Sequence, residues 1–425
     1  MKIKQLSVAG LRGFDQGTFE FDPQFTLLVG VNGVGKSSVL EALRVSLSRV
    51  LPKFTASRAA PLAFSAEDIR LGAASLTVDV LFHFPDAAEQ RFLLHKPRER
   101  FVAGKEGSVR EGTIETPERE EFTPLRLSKP YADGSQPIAV YFGTRRSHPS
   151  DEQTRGSRAQ SGAASAYADA LSDVRPLHLR ELASWMLAQE ALAEELPRAR
   201  NHLEALRSAA ARFLPTCTGL RATNGADKPR LLISKDGIEL DVRHLSEGER
   251  GMLALALDLA RRLSQANPAL DDPIKDGFGV VLIDEIDMHM HPLWQRQIGP
   301  LLKETFCNCQ FIASTHSPQV IGETQPESIV LLQTEEDRII PKRCGQAYGL
   351  DTNYILEHLM GTPARPEPTR RMIAAIEAAL DDGELDQARS QLAELRNLIH
   401  GDDPTVVGLE ATINNLEALG DAADQ

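Results

Sequence analysis

A glycine-rich loop near the N-terminus is the feature that most restricts how this chain can fold. Residues 30–37 read G-V-N-G-V-G-K-S, which fits the pattern G-x-x-x-x-G-K-S without a gap. The loop follows an apolar run, Phe25–Val29, that is typical of a buried strand, and a helical pattern begins at Ser37. A strand, a glycine-rich turn and a helix in this order place backbone N–H groups and a helix N-terminus around one phosphate. The sequence therefore predicts a phosphate-binding loop.

Each part of this loop has a chemical role towards a nucleotide. The Lys36 ammonium can reach the β- and γ-phosphates, and the Ser37 hydroxyl can bind Mg²⁺, while the glycines let successive N–H groups face the phosphates. A glycine turn that arose by chance fits poorly with a strand and a helix in register on either side. We expect ATP and Mg²⁺ to be bound by the residues that the pattern places there: Gly30, Asn32, Gly33, Gly35, Lys36, Ser37 and Ser38.

An acidic pair follows a later apolar strand. Residues 280–283 are apolar and run directly into Asp284 and Glu285. Ligands of open α/β sheets bind at the carboxyl ends of the strands, so both carboxylates are expected beside the loop. We predict that Asp284 holds the metal through water and that Glu285 polarises the attacking water, because phosphoryl transfer needs mainly positioning and charge stabilisation. The alternative is a buried strand that merely happens to end in Asp-Glu.

Two further segments add an anion site and a histidine. Residues 245–250 read L-S-E-G-E-R and precede a long apolar helix, so Ser246 and the N–H groups that open the helix can bind an anion. His316 follows a later strand, within the string S-T-H-S-P. Ser246 precedes Asp284 by 38 residues, and Asp284 precedes His316 by 32 residues. The alternatives are a plain helix cap and a structural histidine.

Together these motifs resemble those of ABC-type ATPases in order and in spacing. The resemblance implies that ATP joins two copies of the chain, with the signature serine of one copy facing the γ-phosphate bound by the other. It implies nucleotide contacts for Ser246, Gly248 and Glu249 in the signature segment. It also implies that His316 contacts the γ-phosphate as a catalytic residue beside Glu285.

The segment that contains Glu285 narrows this resemblance. Residues 285–295 read E-I-D-M-H-M-H-P-L-W-Q, a string similar to that of the soluble SMC/RecF-like ABC ATPases of bacteria rather than transporter subunits. In that group Asp287 would lie in the loop that couples the two nucleotide sites. Arg12 lies in a segment, L-R-G-F, that also fits the group, where the arginine is near the nucleotide. His289 and His291 offer a metal site as the alternative, but the ATPase interpretation already explains their loop.

Looser stretches resemble the ATPases of Septu-type anti-phage systems, the PtuA family. They lie at residues 166–171, 182–185 and 348–363. This resemblance implies that nucleotide-driven association of heads controls a separate effector, an HNH nuclease, in defence against phage, with nucleic acid contacted through the complex. The alternative is a RecF-like DNA repair ATPase that binds DNA directly.

The alternation of apolar strands and helical patterns predicts an α/β fold, a two-lobed ABC-type head with a mixed sheet and flanking helices. Strand patterns recur at residues 76–84, 138–142, 231–234, 280–283, 311–313 and 329–332. The predicted parts are an N-terminal ATPase part (1–163), a helical insertion (164–214), a part with the signature, acidic pair and histidine (215–345), and a helical C-terminal extension (346–425). The insertion is too short for the coiled-coil arms of SMC proteins, and the extension is too short for a fused nuclease domain.

Charge limits the choice of partners. The 425 residues carry 60 acidic and 47 basic side chains, a net charge of −13, and residues 366–425 alone hold 13 acidic and 4 basic ones. A protein that mainly grips duplex DNA usually shows a basic excess, which this composition lacks. Apolar stripes predict helices at 367–381, 385–399 and 404–419, which either pack against the rest of the chain or form an oligomerisation or partner-docking element suited to a basic partner.

Other features bear on location and on the loop after residues 138–142. No window approaches the roughly 20 apolar residues of a membrane span, the N-terminus runs straight into a strand pattern without a secretory signal, and 4 cysteines make no disulfide framework. We therefore expect a cytoplasmic protein without membrane contact. We interpret Arg145, Arg146, Arg155 and Arg158 as part of a solvated loop, with Arg145 as the exception because it follows a strand end near the expected site. The alternative is that these arginines contact nucleic acid or the nucleotide. No glutamine there stands out as the metal-sensing residue of ABC sites.

Overall fold

The structure is a computed structural model that describes residues 1–84, 87–98, 119–122, 135–146, 162–173, 178–225, 228–336 and 338–423. Its contacts divide into two compact units, Met1–Thr352 and Asn353–Gln425. All residues of the predicted nucleotide site belong to the first unit.

All fourteen strands of the described residues belong to the first unit, whereas the described part of the second unit is helical. The strands are β1 (Lys2–Leu11), β2 (Phe14–Glu20), β3 (Phe25–Val29), β4 (Ser75–Phe84), β5 (Ala87–Pro97), β6 (Arg119–Phe122), β7 (Ile138–Phe142), β8 (Cys217–Asn224), β9 (Pro229–Lys235), β10 (Ile238–Asp241), β11 (Gly279–Ile283), β12 (Cys309–Thr315), β13 (Ile329–Glu335) and β14 (Arg338–Arg343). The helices are α1 (Lys36–Val50), α2 (Leu179–Leu192), α3 (Pro197–Phe213), α4 (Glu247–Ala266), α5 (Pro292–Thr305), α6 (Pro318–Gly322), α7 (Thr352–Tyr354), α8 (Glu367–Asp381), α9 (Leu385–Ile399) and α10 (Pro404–Ala423).

A six-stranded sheet in the order β14-β13-β3-β12-β11-β7 forms the centre of the first unit. All neighbours pair in parallel except β13 and β14. The residues of β3, β7, β11 and β12 are all buried, as expected for parallel strands covered on both faces. Val29 pairs with Thr315, and Ile283 pairs with both Ala313 and Phe142. The strands therefore end together, and the loops that follow them meet at one edge.

An antiparallel sheet in the order β2-β1-β4-β5-β6 shares a hydrophobic core with α1. Side chains from both, such as Leu6, Val80 and Leu43, are fully buried in this cluster. Phe14 opens β2 and meets Phe19 edge-on, with ring centroids 5.7 Å apart. This core holds α1, and with it the glycine-rich loop, between the antiparallel sheet and the six-stranded sheet.

A third sheet, β10-β9-β8, precedes the signature segment. The sequence predicted a strand here only at 231–234, because the alternation in β8 is interrupted by exposed polar residues. The helical stretch before it contains α2 and α3, with Pro197 in the first turn of α3, where its missing N–H costs nothing.

In the part of the second unit that the structure describes, α8, α9 and α10 form the core. The helices predicted at 367–381, 385–399 and 404–419 are confirmed, and α10 extends to Ala423. Their apolar stripes pack against one another and form a separate core that contains Ile376, Ala388, Leu392, Leu395, Val406 and Ile413. None of the helices in the described ranges combines the length and the apolar character that crossing a membrane requires.

Candidate nucleotide-binding site

The glycine-rich loop leaves β3 and enters α1 through backbone conformations that glycine adopts readily. Gly33 and Gly35 have φ angles of +79° and +95°, in the left-handed region. A Cβ atom on Gly35 would lie 2.7 Å from the ring of Phe14, so a side chain does not fit. Gly35 also occupies the N-cap of α1 and supplies no side-chain acceptor to the first turn. The start of the helix thus has the form of a phosphate cradle.

Lys36 places its ammonium group against the inside of this loop. Its Nζ donates to the carbonyl oxygens of Gly30 at 2.8 Å and Val31 at 3.1 Å. Burial lowers the pKa of Lys36 to about 8, although the charges of Asp284 and Glu285 act in the opposite direction. The loop therefore holds the cation where the sequence predicted a phosphate contact.

Ser37 and Asp284 meet although 247 residues separate them in the chain. The Ser37 hydroxyl donates to the Asp284 carboxylate, with Oγ–Oδ distances of 3.0 and 3.3 Å. Strand β12, which pairs with β11, contributes Ser314, whose hydroxyl donates to Asp284 at 2.5 Å. A hydroxyl and a carboxylate side by side are hard oxygen ligands of the kind Mg²⁺ prefers. The donor set and the glycine cradle fit Mg²⁺ and a polyphosphate.

Glu285 follows in an unusual backbone conformation. Its φ angle is +48°, and a residue other than glycine in the left-handed region costs about 1–3 kcal/mol, which surrounding contacts must offset. The Glu285 N–H donates to Ser314 Oγ at 2.8 Å, and the next N–H, of Ile286, donates to the Ser314 carbonyl at 2.9 Å. Strand β12 thus supports the turn that carries the predicted catalytic carboxylate.

Arg146 is a site residue that the sequence interpretation missed. Its assignment to a solvated loop was wrong, since the side chain is only 3% exposed, whereas Arg145 is exposed. The guanidinium donates to the carbonyls of Asp284 at 2.8 Å and Glu285 at 2.6 Å. Burial lowers the pKa of Arg146 to about 10, which leaves the group charged at neutral pH. Arg155 and Arg158 lie outside the described residues.

His316 and Asp287 lie near the same edge of the sheet. The Thr315 hydroxyl donates to Asp287 at 2.5 Å and so links the end of β12 to the loop after Glu285. Burial, reinforced by the nearby charge of Lys36, lowers the pKa of His316. The imidazole is therefore neutral near pH 7.

The signature segment starts α4 with a complete capping box. Ser246 Oγ accepts from the Glu249 N–H at 3.3 Å, and the Glu249 carboxylate accepts from the Ser246 N–H at 2.9 Å. Glu249 is 3% exposed and forms an ion pair with Lys235 at 2.7 Å. Burial opposes its ionisation, but the bonds from Lys235 and Ser246 outweigh this and lower the pKa of Glu249. These bonds hold Ser246 at the start of its own helix.

Gly248 brings the signature segment against the loop that contains Asp287. A Cβ atom at Gly248 would lie 2.4 Å from the carbonyl oxygen of His289. His289 Nε2 also lies 3.5 Å from a carboxylate oxygen of Glu247. The signature and the loop after Glu285 are thus packed together within one chain.

The remaining predicted residues have other partners. Arg12 pairs with Asp68, with 2.9 Å between Nε and Oδ1, and its backbone is left-handed. His291 caps α5 by accepting from the Leu293 N–H at 3.2 Å. Within the ranges that the structure describes, no group of three or more His, Cys, Asp or Glu side chains is arranged to hold a metal ion.

Comparison with known proteins identifies the family. A family model described as "AAA domain, putative AbiEii toxin, Type IV TA system" matches residues 25–322. The chain belongs to this family. The matched range includes the glycine-rich loop, the signature, the acidic pair and His316, and leaves out Arg12 and the second unit.

Curated relatives cover smaller parts of the chain. It is 38% identical over 192 residues to the "Retron Ec83 probable ATPase" of Escherichia coli, which is 43% of this chain and 34% of that protein. It is 28% identical over 182 residues to the "Septu protein PtuA" of Bacillus thuringiensis, which is 41% of this chain and 46% of that protein. The chain thus spans less than half the length of these relatives.

A solved SMC head, described as bound to the "C-winged helix domain of ScpA", shares the fold. Its TM-score is 0.50 at 16% identity, over 81% of this chain and 98% of the head. The predicted α/β head of the SMC-like ABC ATPases and the resemblance to the Septu group are confirmed.

Proposed function

We propose that the chain binds ATP with Mg²⁺ at residues 30–38 and hydrolyses the γ-phosphate bond. The observation that supports this most directly is the pairing of Ser37 with Asp284 at 3.0 Å, directly beside the loop that surrounds the Lys36 ammonium. Relatives named as probable ATPases point in the same direction. Calorimetric ATP titration and phosphate release by the purified chain test the proposal.

Each site residue has its own role in the proposed hydrolysis. Lys36 would bind the phosphates, and Ser37 and Asp284 would hold Mg²⁺. When bound, Mg²⁺ supplies positive charge that offsets the charge developing on the phosphate oxygens. Glu285 accepts a proton from water while the water oxygen bonds to the γ-phosphorus and the bond to the ADP oxygen breaks. Neutral His316 is suited to donate a hydrogen bond to the departing phosphate.

We propose further that ATP joins two copies of the chain. The start of α4 carries a serine cap and helix N–H groups, which together attract an anion. Within its own chain, Ser246 bonds to Glu249. A γ-phosphate bound by a second copy would complete this anion site, and the Gly248–His289 contact would connect it to the loop after Glu285.

Two variants of Ser246 test the joining of two copies. Asn and Asp both cap helices well, so Ser246→Asn and Ser246→Asp differ mainly by one negative charge. In a Glu285→Gln background with saturating ATP, we expect light scattering to show a doubled mass for the Asn variant. The Asp variant should need at least roughly tenfold more protein to dimerise, because like charges in contact cost several kcal/mol.

The control for this pair is ATP binding by each variant at low protein concentration. Both should bind ATP equally well, since Ser246 belongs to the partner's site and not to the site of its own chain. Equal dimerisation of the Asn and Asp variants would show that Ser246 is only a helix cap.

We propose that the nucleotide-driven assembly acts in the cytoplasm and controls a separate HNH nuclease in defence against phage. Similarity to the Septu and retron proteins supports this role. The acidic second unit is suited to a basic partner. Co-expression with an HNH nuclease, if one is encoded beside the gene, should protect cells from phage, and Lys36→Ala should remove the protection in plaque assays. Cleavage of DNA by the purified chain alone would contradict the division between ATPase and nuclease.

A further inference from the structure

Arg146 binds the backbone at the point where β11 turns into the left-handed Glu285. One guanidinium nitrogen donates to the carbonyls of Asp284 at 2.8 Å and Gly143 at 3.2 Å. The other donates to the carbonyls of Glu285 at 2.6 Å and Ile286 at 3.2 Å. One side chain thereby links the carbonyls of residues 284–286 to that of Gly143, directly after β7.

The chemistry of this contact requires arginine. The planar guanidinium directs its donors in a fixed fork, whereas a lysine ammonium is a single point that cannot span several carbonyls in this way. Arg146 is 3% exposed, so carbonyls that lose its donors have little access to water as a replacement. Removing the fork therefore releases the backbone around Glu285.

The Glu285 peptide groups are held from two sides. Ser314 of β12 accepts from the Glu285 N–H at 2.8 Å, and Arg146 donates to the Glu285 carbonyl at 2.6 Å. These two bonds stabilise the positive φ angle of +48°, which sets the direction in which the side chain leaves the backbone. Loss of either bond lets the residue relax towards the ordinary negative φ region and turns the carboxylate away.

We propose that Arg146 is a positioning residue, which aims the Glu285 carboxylate at the water that attacks ATP. The inference rests on the proposed ATP hydrolysis and deepens it. Arg146 directs its donors at the carbonyls of the chain, so it acts through Glu285. Because Gly143 and Arg146 belong to the loop after β7, a shift of that loop would also reach the catalytic carboxylate.

Replacing Arg146 by lysine tests this role through a separation of binding from turnover. We expect Arg146→Lys to bind ATP with a dissociation constant within about threefold of wild type, because the phosphate cradle keeps its contacts. Its kcat should fall at least roughly tenfold, as expected for a misplaced catalytic group. Arg146→Gln, which keeps a planar amide donor, provides a second variant if the lysine variant does not fold.

A matched control is Arg262→Lys. Arg262 is 2% exposed and donates to the carbonyls of Ala166 at 2.6 Å and Ala168 at 3.0 Å, so it is also a buried arginine that holds backbone oxygens. We expect this control to lower the melting temperature with kcat within about threefold of wild type. A purely structural role for Arg146 would make the two variants behave alike.

A double variant decides whether Arg146 acts through Glu285. In a Glu285→Gln background, Arg146→Lys should leave the residual hydrolysis rate unchanged, since the group that it positions is already gone. A further tenfold loss in that background, or a kcat equal to wild type in the single variant, would overturn the inference while leaving ATP hydrolysis intact. Absence of hydrolysis by the wild-type chain would instead contradict the proposed function.

Discussion

Lys36→Ala should abolish measurable ATP binding. The ammonium now donates to the carbonyls of Gly30 and Val31, so it already lies inside the curve of the loop that would surround the phosphates. The variant loses charge-assisted bonds to phosphate, and each such bond contributes about 1.5–3 kcal/mol. Losing two of them weakens binding by a factor of roughly 100 or more. Isothermal titration calorimetry with ATP and Mg²⁺ measures this directly.

Lys96→Ala is the matched control for this prediction. Lys96 is also a buried lysine, 4% exposed, that donates to a backbone carbonyl, that of Phe64. It lies on β5 in the antiparallel sheet, so its loss should reduce the melting temperature without changing ATP affinity. An unchanged ATP affinity of the Lys36→Ala variant would show that the glycine-rich loop is not part of the ATP site.

The glycine-rich loop and the acidic pair could be predicted because the residues that define each of them are adjacent in the sequence. One apolar strand precedes Lys36 and Ser37, and another precedes Asp284. Because the carboxyl ends of parallel strands lie at one edge of a sheet, these residues could be placed side by side from the sequence. The pairing of Ile283 with Phe142 and Ala313 shows that edge directly. The three C-terminal helices could be predicted for a similar reason, since each apolar stripe is local.

Side-chain contacts between residues that are far apart in the chain could not be predicted. Arg146 looks like one more arginine in a polar loop, and only the fold shows that it turns back to the carbonyls after β11. The one sequence feature that could have singled it out is its position four residues after a buried strand. Arg12 illustrates the same limit, because its ion pair with Asp68 joins residues 56 positions apart.

Strands β8 and β10 were missed for a different reason. Their residues alternate poorly, with exposed positions where a regular two-residue period would place buried ones. Pairing across β9 forms these strands, since β9 carries the buried Leu231 and Ile233 and binds a neighbour on each side. Tertiary context thus outweighs local pattern here.

Glu285→Gln should bind ATP as well as wild type and hydrolyse it at least roughly a hundredfold more slowly, the contribution typical of a positioned general base. Glutamine keeps the size of the side chain, and the backbone bonds to Ser314 and Arg146 do not involve the carboxylate. The left-handed turn should therefore persist while the proton acceptor is lost. Phosphate release under saturating ATP gives the rate, and calorimetry confirms the binding.

The matched control is Glu323→Gln, which removes the charge of a carboxylate that pairs with Arg296 at 2.9 Å on the surface. Its hydrolysis rate should equal that of wild type. Because Glu285→Gln should retain ATP, it should also accumulate the proposed ATP-bound dimer, which hydrolysis by wild type would dissociate. Near-normal phosphate release by Glu285→Gln would assign proton transfer to another group, whereas slow release without dimer accumulation would place catalysis within a single copy and exclude Ser246 from the reaction.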